Sequence, residues 1–465
     1  LPRRPPGAVA AEHVDLALVP LTVRRRANAT GSRILPHHAP AAHLPAGDLT
    51  PRSGVAVTRF AHHYAARMTR WRVILAVGVL VGTVAACSDD TSTATDGTSA
   101  AEATTGPAPE TSVAATDVPV TDAPSTDAPT TDAPETTVDA AGVWETITAP
   151  ADCMCGDGSE FSYFVHRADP TKVMFFLEGG GACFSADTCN PTSNTYKREV
   201  GYEGGFGAQG DPTGIFDFSN PMNPFANYSI VFVPYCTGDV HIGNNTKDYG
   251  GGVVVEHKGF VNGSTALNKM AELFPDATEL IVTGESAGSV PTPLYAGMAA
   301  DLLPAARITV LADGSGAYPD IPGINAVIGD AWGTMNAVPD WPENAGVTSE
   351  TWSFPGLFVK AGAHQPDITF ARHDYAFDET QTFFAQLAGI PADDLVSLID
   401  QNETQIEAGG VTLLSYISPG SNHTVLHKDD FYTETVNGEP FVDWVVALLS
   451  GEPISDVHCT ECTTA

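Results

Sequence analysis

Basic residues are scarce in this 465-residue chain, with 22 Lys and Arg against 56 Asp and Glu. Half of the basic residues, 11, fall within residues 1–72 beside only 3 acidic ones, so residues 73–465 hold 11 against 53. A surface of that sign repels phosphate backbones, which excludes nucleic-acid binding through a basic patch. It offers anionic membranes and polyanionic substrates no attraction either. The apolar run at 73–84 falls short of the roughly 20 residues that a membrane-spanning helix needs. Apolar residues are nonetheless plentiful overall. At 43% of the chain they suffice for a packed core and exclude wholesale disorder.

Residues 1–67 are compositionally foreign to the rest: rich in Arg, Ala and Pro, holding six of the 14 His, and without a sustained period of 2 or 3.6. With Leu1 in first place, they read as an over-extended frame, and Met68 is the expected start. From there a targeting pattern runs through 68–87: Arg70 and Arg72, the apolar run 73–84, then Ala85-Ala86-Cys87. It resembles a bacterial lipoprotein signal, in which Cys87 is lipidated and becomes the mature N-terminus. The expected location is extracytoplasmic, either secreted or tethered to the cell surface, with membrane contact only through the lipid anchor. Residues 88–140 contain 11 carboxylates, repeated Thr-Asp-Ala-Pro, and no Lys, Arg or aromatic residue. Charge repulsion and proline make such a segment an extended, solvated linker.

The folded module is then expected at 141–465, as one domain, because no second linker follows. It contains seven cysteines. Export permits disulfides, and the odd number leaves one thiol over. Short apolar runs at 161–166, 173–177, 230–234, 279–283, 308–312, 356–360 and 413–417 predict buried strands. Helical patterns at 260–273, 287–302, 379–387, 392–408 and 441–449 separate or follow them. This alternation predicts an α/β fold with a doubly wound, mostly parallel sheet flanked by helices. Ligands in such sheets bind beyond the carboxyl ends of the strands.

Three features at that edge carry chemistry. Gly284-Glu285-Ser286-Ala287-Gly288 lies between a predicted strand and a predicted helix. A serine on that sharp turn projects its hydroxyl above the sheet, where the helix N-terminus favours a developing negative charge. Glu178-Gly179-Gly180-Gly181-Ala182-Cys183 follows another strand. Its glycines can turn N–H groups inward, so Gly180, Gly181 and Ala287 are the expected oxyanion donors. No Gly-Lys-Ser/Thr follows, which argues against a phosphate loop. His423, in the loop after 413–417, is the expected base, with His427 as the fallback. For the orienting acid, Asp313, Asp374 and Asp378 remain open on spacing alone, and Asp378 also reads as a helix cap.

Taken together the motifs resemble the pectin acetylesterase family. The resemblance spans roughly 150–450 and rests on Cys155-Gly-Asp-Gly-Ser159, Phe176-Leu-Glu-Gly-Gly-Gly-Ala-Cys183, Val233-Pro-Tyr-Cys-Thr-Gly-Asp239, Gly284-Glu-Ser-Ala-Gly288, Leu311-Ala-Asp-Gly-Ser315 and Phe377-Asp-Glu-Thr-Gln381. It implies an α/β-hydrolase fold, no metal or other cofactor, and a Ser-Asp-His triad whose acid is Asp378. It also implies disulfides Cys183–Cys189 and Cys155–Cys236, after which Cys153 is left to pair with Cys459 or Cys462. The expected activity is a serine esterase removing acetyl or other short acyl groups from a polysaccharide such as pectin or xylan. The module, with 11 basic against 42 acidic residues, suits a neutral polymer better than a polyanion. Two other readings stay open: a carboxylesterase for longer acyl, lipid or polyester substrates, and a non-catalytic carbohydrate-binding surface protein.

Overall fold

The computed structural model describes residues 143–202, 212–460 and 462. The extension 1–67, the leader 68–87 with Cys87, and the linker 88–140 lie outside the described residues. In chain order the elements begin with β1 (Trp144–Thr148), β2 (Ser162–His166), β3 (Asp169–Leu177), β4 (Tyr228–Val233), β5 (Asn245–Asp248) and β6 (Val254–His257). Then follow α1 (Gly259–Leu273), β7 (Glu279–Glu285), α2 (Thr292–Leu302), β8 (Arg307–Asp313), α3 (Pro322–Trp332) and α4 (Phe354–His364). The chain continues through β9 (Thr369–Tyr375), α5 (Glu379–Leu387), α6 (Leu395–Ala408) and β10 (Leu413–Ser418). The last elements are β11 (Thr435–Val436), β12 (Glu439–Pro440), α7 (Phe441–Ser450) and β13 (Val457–His458).

Nine strands form one sheet in the order β1-β2-β4-β3-β7-β8-β9-β10-β13. Pairing is antiparallel at β1/β2 and β2/β4 and parallel from β4 to β13. The central strands alternate between two cores, as a period of 2 requires. Val173, Phe175 and Leu177 of β3 pack toward α1, α2 and α4. Met174 and Phe176 point the other way, into the cluster that holds α7. Helices on both faces of a mostly parallel sheet make this an α/β-hydrolase fold. From β3 the chain steps to β4 on one side and to β7, β8, β9 and β10 on the other. The loops after β3 and β7 therefore diverge at a topological switch point, where a crevice opens.

Most predicted elements form with shifts of a residue or more at their ends. The strand predicted at 356–360 is wrong, because those residues lie inside α4. The Ser353 side chain caps that helix by accepting from Gly356 N–H, and Pro355 sits in its first turn. The strand on that side of β8 is β9, whose buried Arg372, His373 and Asp374 hide it from a search for apolar runs. The helix predicted at 287–302 begins later: Ser286–Gly288 is a single 3-10 turn, and α2 starts at Thr292.

Cys155–Cys236 and Cys183–Cys189 are disulfides. The expectation for Cys153 is corrected: Cys459 pairs with Cys462, and Cys153 is a buried free thiol within 3.3 Å of Thr265 Oγ1. The two partners proposed for it are out of reach, since Cys153 packs in the core beneath α1 and Cys459 in the core on the opposite face. Three disulfides fit an oxidising, extracytoplasmic setting. Among the described residues no helix is long and apolar enough to cross a membrane.

Candidate active site

Ser286 leaves the carboxyl end of β7 with φ 53°, a left-handed conformation unusual for a residue with a Cβ. The flanking backbone leaves no alternative to glycine. A Cβ on Gly288 would lie 2.0 Å from Leu177 O, and one on Gly284 would lie 2.4 Å from Gly288 O. Strand β3 is thus pressed against the turn, and the serine is held up at the crevice.

The glycine loop after β3 passes alongside. Gly181 has φ 81°, and a Cβ there would meet Thr195 O at 2.0 Å. A short bridge to 195–197 uses Ala182 N–H, which donates to Thr195 O, and Gly180 O, which accepts from Lys197 N–H. The N–H groups of Gly180 and Gly181 are outside that bridge. Gly181, Ala182, Ser286 and Ala287 line one pocket. His241 supports the loop from beneath, its Nε2 lying 2.9 Å from Glu178 O. Burial pushes the His241 pKa down to about 4, so the ring is neutral at pH 7 and Nε2–H is the donor.

His423 and Asp378 meet at 2.7 Å, Nδ1 to Oδ2. Asp378 is fully buried at the N-terminus of α5, where its Oδ1 accepts from the N–H groups of Thr380 and Gln381. One oxygen of this residue thus caps α5, and the other faces His423 Nδ1. Gln381 Nε2 donates to Asp378 Oδ2 as well, at 3.1 Å. His423 Nε2 is buried and makes no hydrogen bond, so the Ser286 Oγ to His423 Nε2 bond is not formed here. Burial lowers the imidazole's pKa, but the Asp378 hydrogen bond and charge, with the charges of Asp313 and Glu285, leave it raised above the ordinary value.

The other candidate acids sit elsewhere. Asp313 Oδ1 accepts from His373 Nδ1–H at 2.8 Å, and its Oδ2 takes the N–H groups of Val425 and Leu426. His373 Nε2 reaches Ser418 Oγ at 3.0 Å. This Asp-His-Ser array has triad connectivity but is sealed from solvent, with all three residues fully buried. Asp374 pairs with Arg372 Nε at 2.8 Å and accepts from Gln381. His427, the alternative base, bonds Glu285 Oε1 at 3.2 Å rather than Asp378. Of the remaining histidines after Ser286, His364 lies between Asp301 and Glu343, and His458 lies 3.6 Å from Asp400.

Sequence reasoning missed Glu285, Gln381 and the Glu178–Lys197 ion pair. The first two stand inside the motifs already singled out, so their position beside Ser286 and Asp378 was the available signal. It also missed an apolar chamber. Ser286 opens onto an apolar pocket walled by Phe184, Val240, Val290, Trp332, Phe354 and Phe384. A second pocket shares Tyr318, Ile328, Trp332, Phe354 and Ala388 with it and continues to Ile242, Trp352 and Ile390. Among the described residues two His/Cys groupings have ligand atoms close enough for a metal, Cys183/Cys189/His257 and His458/Cys459/Cys462. In both, the sulfurs are tied up in disulfides.

A family model described as pectinacetylesterase matches residues 136–329. Palmitoleoyl-protein carboxylesterase notum2 of Xenopus laevis is 31% identical over 140 residues, 29% of this chain and 27% of that protein. The human palmitoleoyl-protein carboxylesterase NOTUM is 27% identical over 172 residues, 34% of this chain and 33% of that protein. The chain thus matches about a third or less of the length of these two relatives. A shorter relative, the inactive palmitoleoyl-protein carboxylesterase notum1b of Danio rerio, is 33% identical over 95 residues, 20% of this chain and 68% of that protein. The family match runs from ahead of β1 into α3 and takes in both the glycine loop and the Ser286 turn; together with the relative matched over 68% of its length, it shows that the chain belongs to the pectinacetylesterase family.

Proposed function

We propose that this chain is an extracytoplasmic serine carboxylesterase. Ser286 Oγ attacks an ester carbonyl while His423 Nε2 takes its proton. The N–H groups of Gly180, Gly181 and Ala287 stabilise the oxyanion. His423 then returns the proton to the leaving alcohol, and water releases the acid from the acyl-enzyme by the same route. Asp378 holds the imidazole with its proton on Nδ1 and stabilises the imidazolium. The observation that carries this reading is the 2.7 Å His423–Asp378 bond, set at the same sheet edge as the strained Ser286 turn.

Acetyl esters of a polysaccharide such as pectin or xylan are the substrate class this reading takes from the family. The chamber favours a second reading. Its apolar wall beside Ser286 runs on into a second apolar pocket, which suits an acyl chain much longer than acetyl. The relatives named for removing palmitoleoyl groups from protein agree with it. A series of aryl esters from acetate to octanoate, assayed with the full chain and with Ser286→Ala, separates the two. Falling kcat/KM with chain length supports the deacetylase; equal or rising values support the long-acyl esterase. Rates no higher than the variant's overturn both and leave a binding scaffold.

A further inference from the structure

His423 sits on a loop whose backbone is under strain. Thr424, the next residue, is β-branched and has φ 60°. Such a residue rarely adopts this conformation and keeps it only when its surroundings over-determine it. Two carboxylates supply that constraint. Glu285 and Asp313 are register partners at the carboxyl ends of β7 and β8. Asp313 Oδ2 accepts from the N–H groups of Val425 and Leu426 at 2.8 and 2.9 Å. Glu285 Oε2 lies 3.5 Å from Thr424 Oγ1, and its Oε1 accepts from His427 Nδ1–H at 3.2 Å. The His427 ring is itself packed against Phe216, with centroids 4.6 Å apart. Every residue from 424 to 427 is therefore bonded to one of two carboxylates on adjacent strands, and one of these directly precedes Ser286 in the chain.

We infer that Glu285 and Asp313 form a carboxylate clasp that positions the His423 loop against the Ser286 turn and holds a negative field on the imidazole. The inference rests on the reading of His423 as the base. Glu285 is the informative member, because Asp313 also carries the buried His373. The charged groups facing His423 are Asp378 at the start of α5, Asp313 at the end of β8 and Glu285 at the end of β7. Lys428, on the same loop, donates to the His423 carbonyl at 2.6 Å. Glu285 in turn faces His427, Lys197 and His423, and His427 faces Glu178 and Lys197 besides Glu285. Burial disfavours the Glu285 carboxylate, but those cations hold its pKa below the ordinary value, so it is charged at neutral pH.

The sign of the effect follows. Glu285→Gln removes a negative charge near His423, destabilises the imidazolium and lowers the His423 pKa. His427→Gln leaves the Glu285 charge without its imidazole partner and raises it. The test is an NMR titration of the full chain labelled with 15N-histidine, with His423→Gln assigning the resonance. Expected are a downward shift of about 0.5–1 pH unit in Glu285→Gln and an upward shift in His427→Gln. Generic loosening of the loop does not produce opposite shifts. A His423 midpoint unmoved in both variants, or moved the same way in both, overturns the clasp. His427→Gln keeps the test open should Glu285→Gln fail to fold. The titration needs no substrate, so failure of the clasp and failure of the esterase reading are separately visible: the acid limb of kcat/KM follows the NMR midpoint only if His423 is the base.

Discussion

Asp378 performs two tasks with two oxygens, and that division makes its substitution informative. In Asp378→Asn the side-chain oxygen still accepts from Thr380 and Gln381 N–H, so the start of α5 is kept. The amide NH2 then faces His423 Nδ1, which must become an acceptor, and the ring proton moves to Nε2. A base protonated on Nε2 cannot accept from Ser286. Turnover is expected to fall by about 10³–10⁴-fold, with only a modest drop in melting temperature from Gln381 Nε2, which loses its acceptor at Oδ2. Asp313→Asn is expected to behave otherwise: it touches backbone and His373 rather than His423, so it lowers the melting temperature more and costs less turnover. Steady-state kinetics and calorimetry on the pair check the assignment, and the reverse pattern would move the triad acid to Asp313. In the wild-type chain the base must be neutral to act, and its pKa is raised. Activity should therefore climb with pH through a midpoint above the ordinary histidine value of about 6.5, and a midpoint below it would contradict the Asp378 pairing.

The turn between β7 and α2 shows what an element costs in sequence freedom. Strand β3 packs so closely on it that Gly288 has Leu177 O where a Cβ would be. Neither backbone can retreat, because β3 and β7 are paired through Leu177 and Gly284. Gly288→Ala is expected to destabilise the fold by at least about 1–3 kcal/mol, the range for overpacking a tight site, and to depress activity in the fraction that folds. Thermal unfolding followed with an ester assay checks both, and an alanine variant with wild-type stability would mean that the two strands are not pressed together. This turn was legible from sequence because its constraint is local: glycines at fixed offsets around a serine. The same holds for buried apolar strands such as β4, whose six residues are all buried. Strand β9 was not legible. Beyond the local Arg372–Asp374 pair, its polar run Arg372-His373-Asp374 is buried because each side chain finds a partner far away in sequence, Arg372 in Asn402 and Glu403, His373 in Asp313 and Ser418, Asp374 in Gly316 N–H. A window of neighbours contains no trace of those partners. The strand predicted at 356–360 failed for the converse reason, since a short apolar run fits a buried helix face as well as a strand. The proposed triad acid lies between these cases: spacing left three candidates, the resemblance pointed to Asp378, and Asp378 is the one within hydrogen-bond reach of His423.

At the scale of the whole molecule, the disulfides tie the edge of the sheet to the crevice. Cys155 lies ahead of β2 and Cys236 just after β4, 81 residues apart in sequence. Gly156 N–H donates to Cys236 O at 2.7 Å, and Cys183 N–H donates to Gly238 O at 2.9 Å. The segment 236–241 is thereby bound to the loop ahead of β2 on one side and to the glycine loop on the other. Its Thr237 and Asp239 side chains bond one another, and Asp239 also accepts from Gly259 N–H at the start of α1. Closing a loop of that length removes much more chain entropy from the unfolded state than closing Cys459–Cys462, which are 3 residues apart. Replacing Cys155 and Cys236 together by Ser is expected to cost about 4 kcal/mol and to lower the melting temperature by roughly 6 °C. The Cys459/Cys462 double replacement should cost less than half of that. Because segment 236–241 carries His241, whose ring bonds Glu178 O at the root of the glycine loop, the first pair of replacements should also weaken oxyanion stabilisation. That loss is read as a fall in kcat at temperatures where the variant is still fully folded. A variant that loses stability and keeps full kcat would show that the disulfide acts on the unfolded chain alone and that the glycine loop keeps its shape without it.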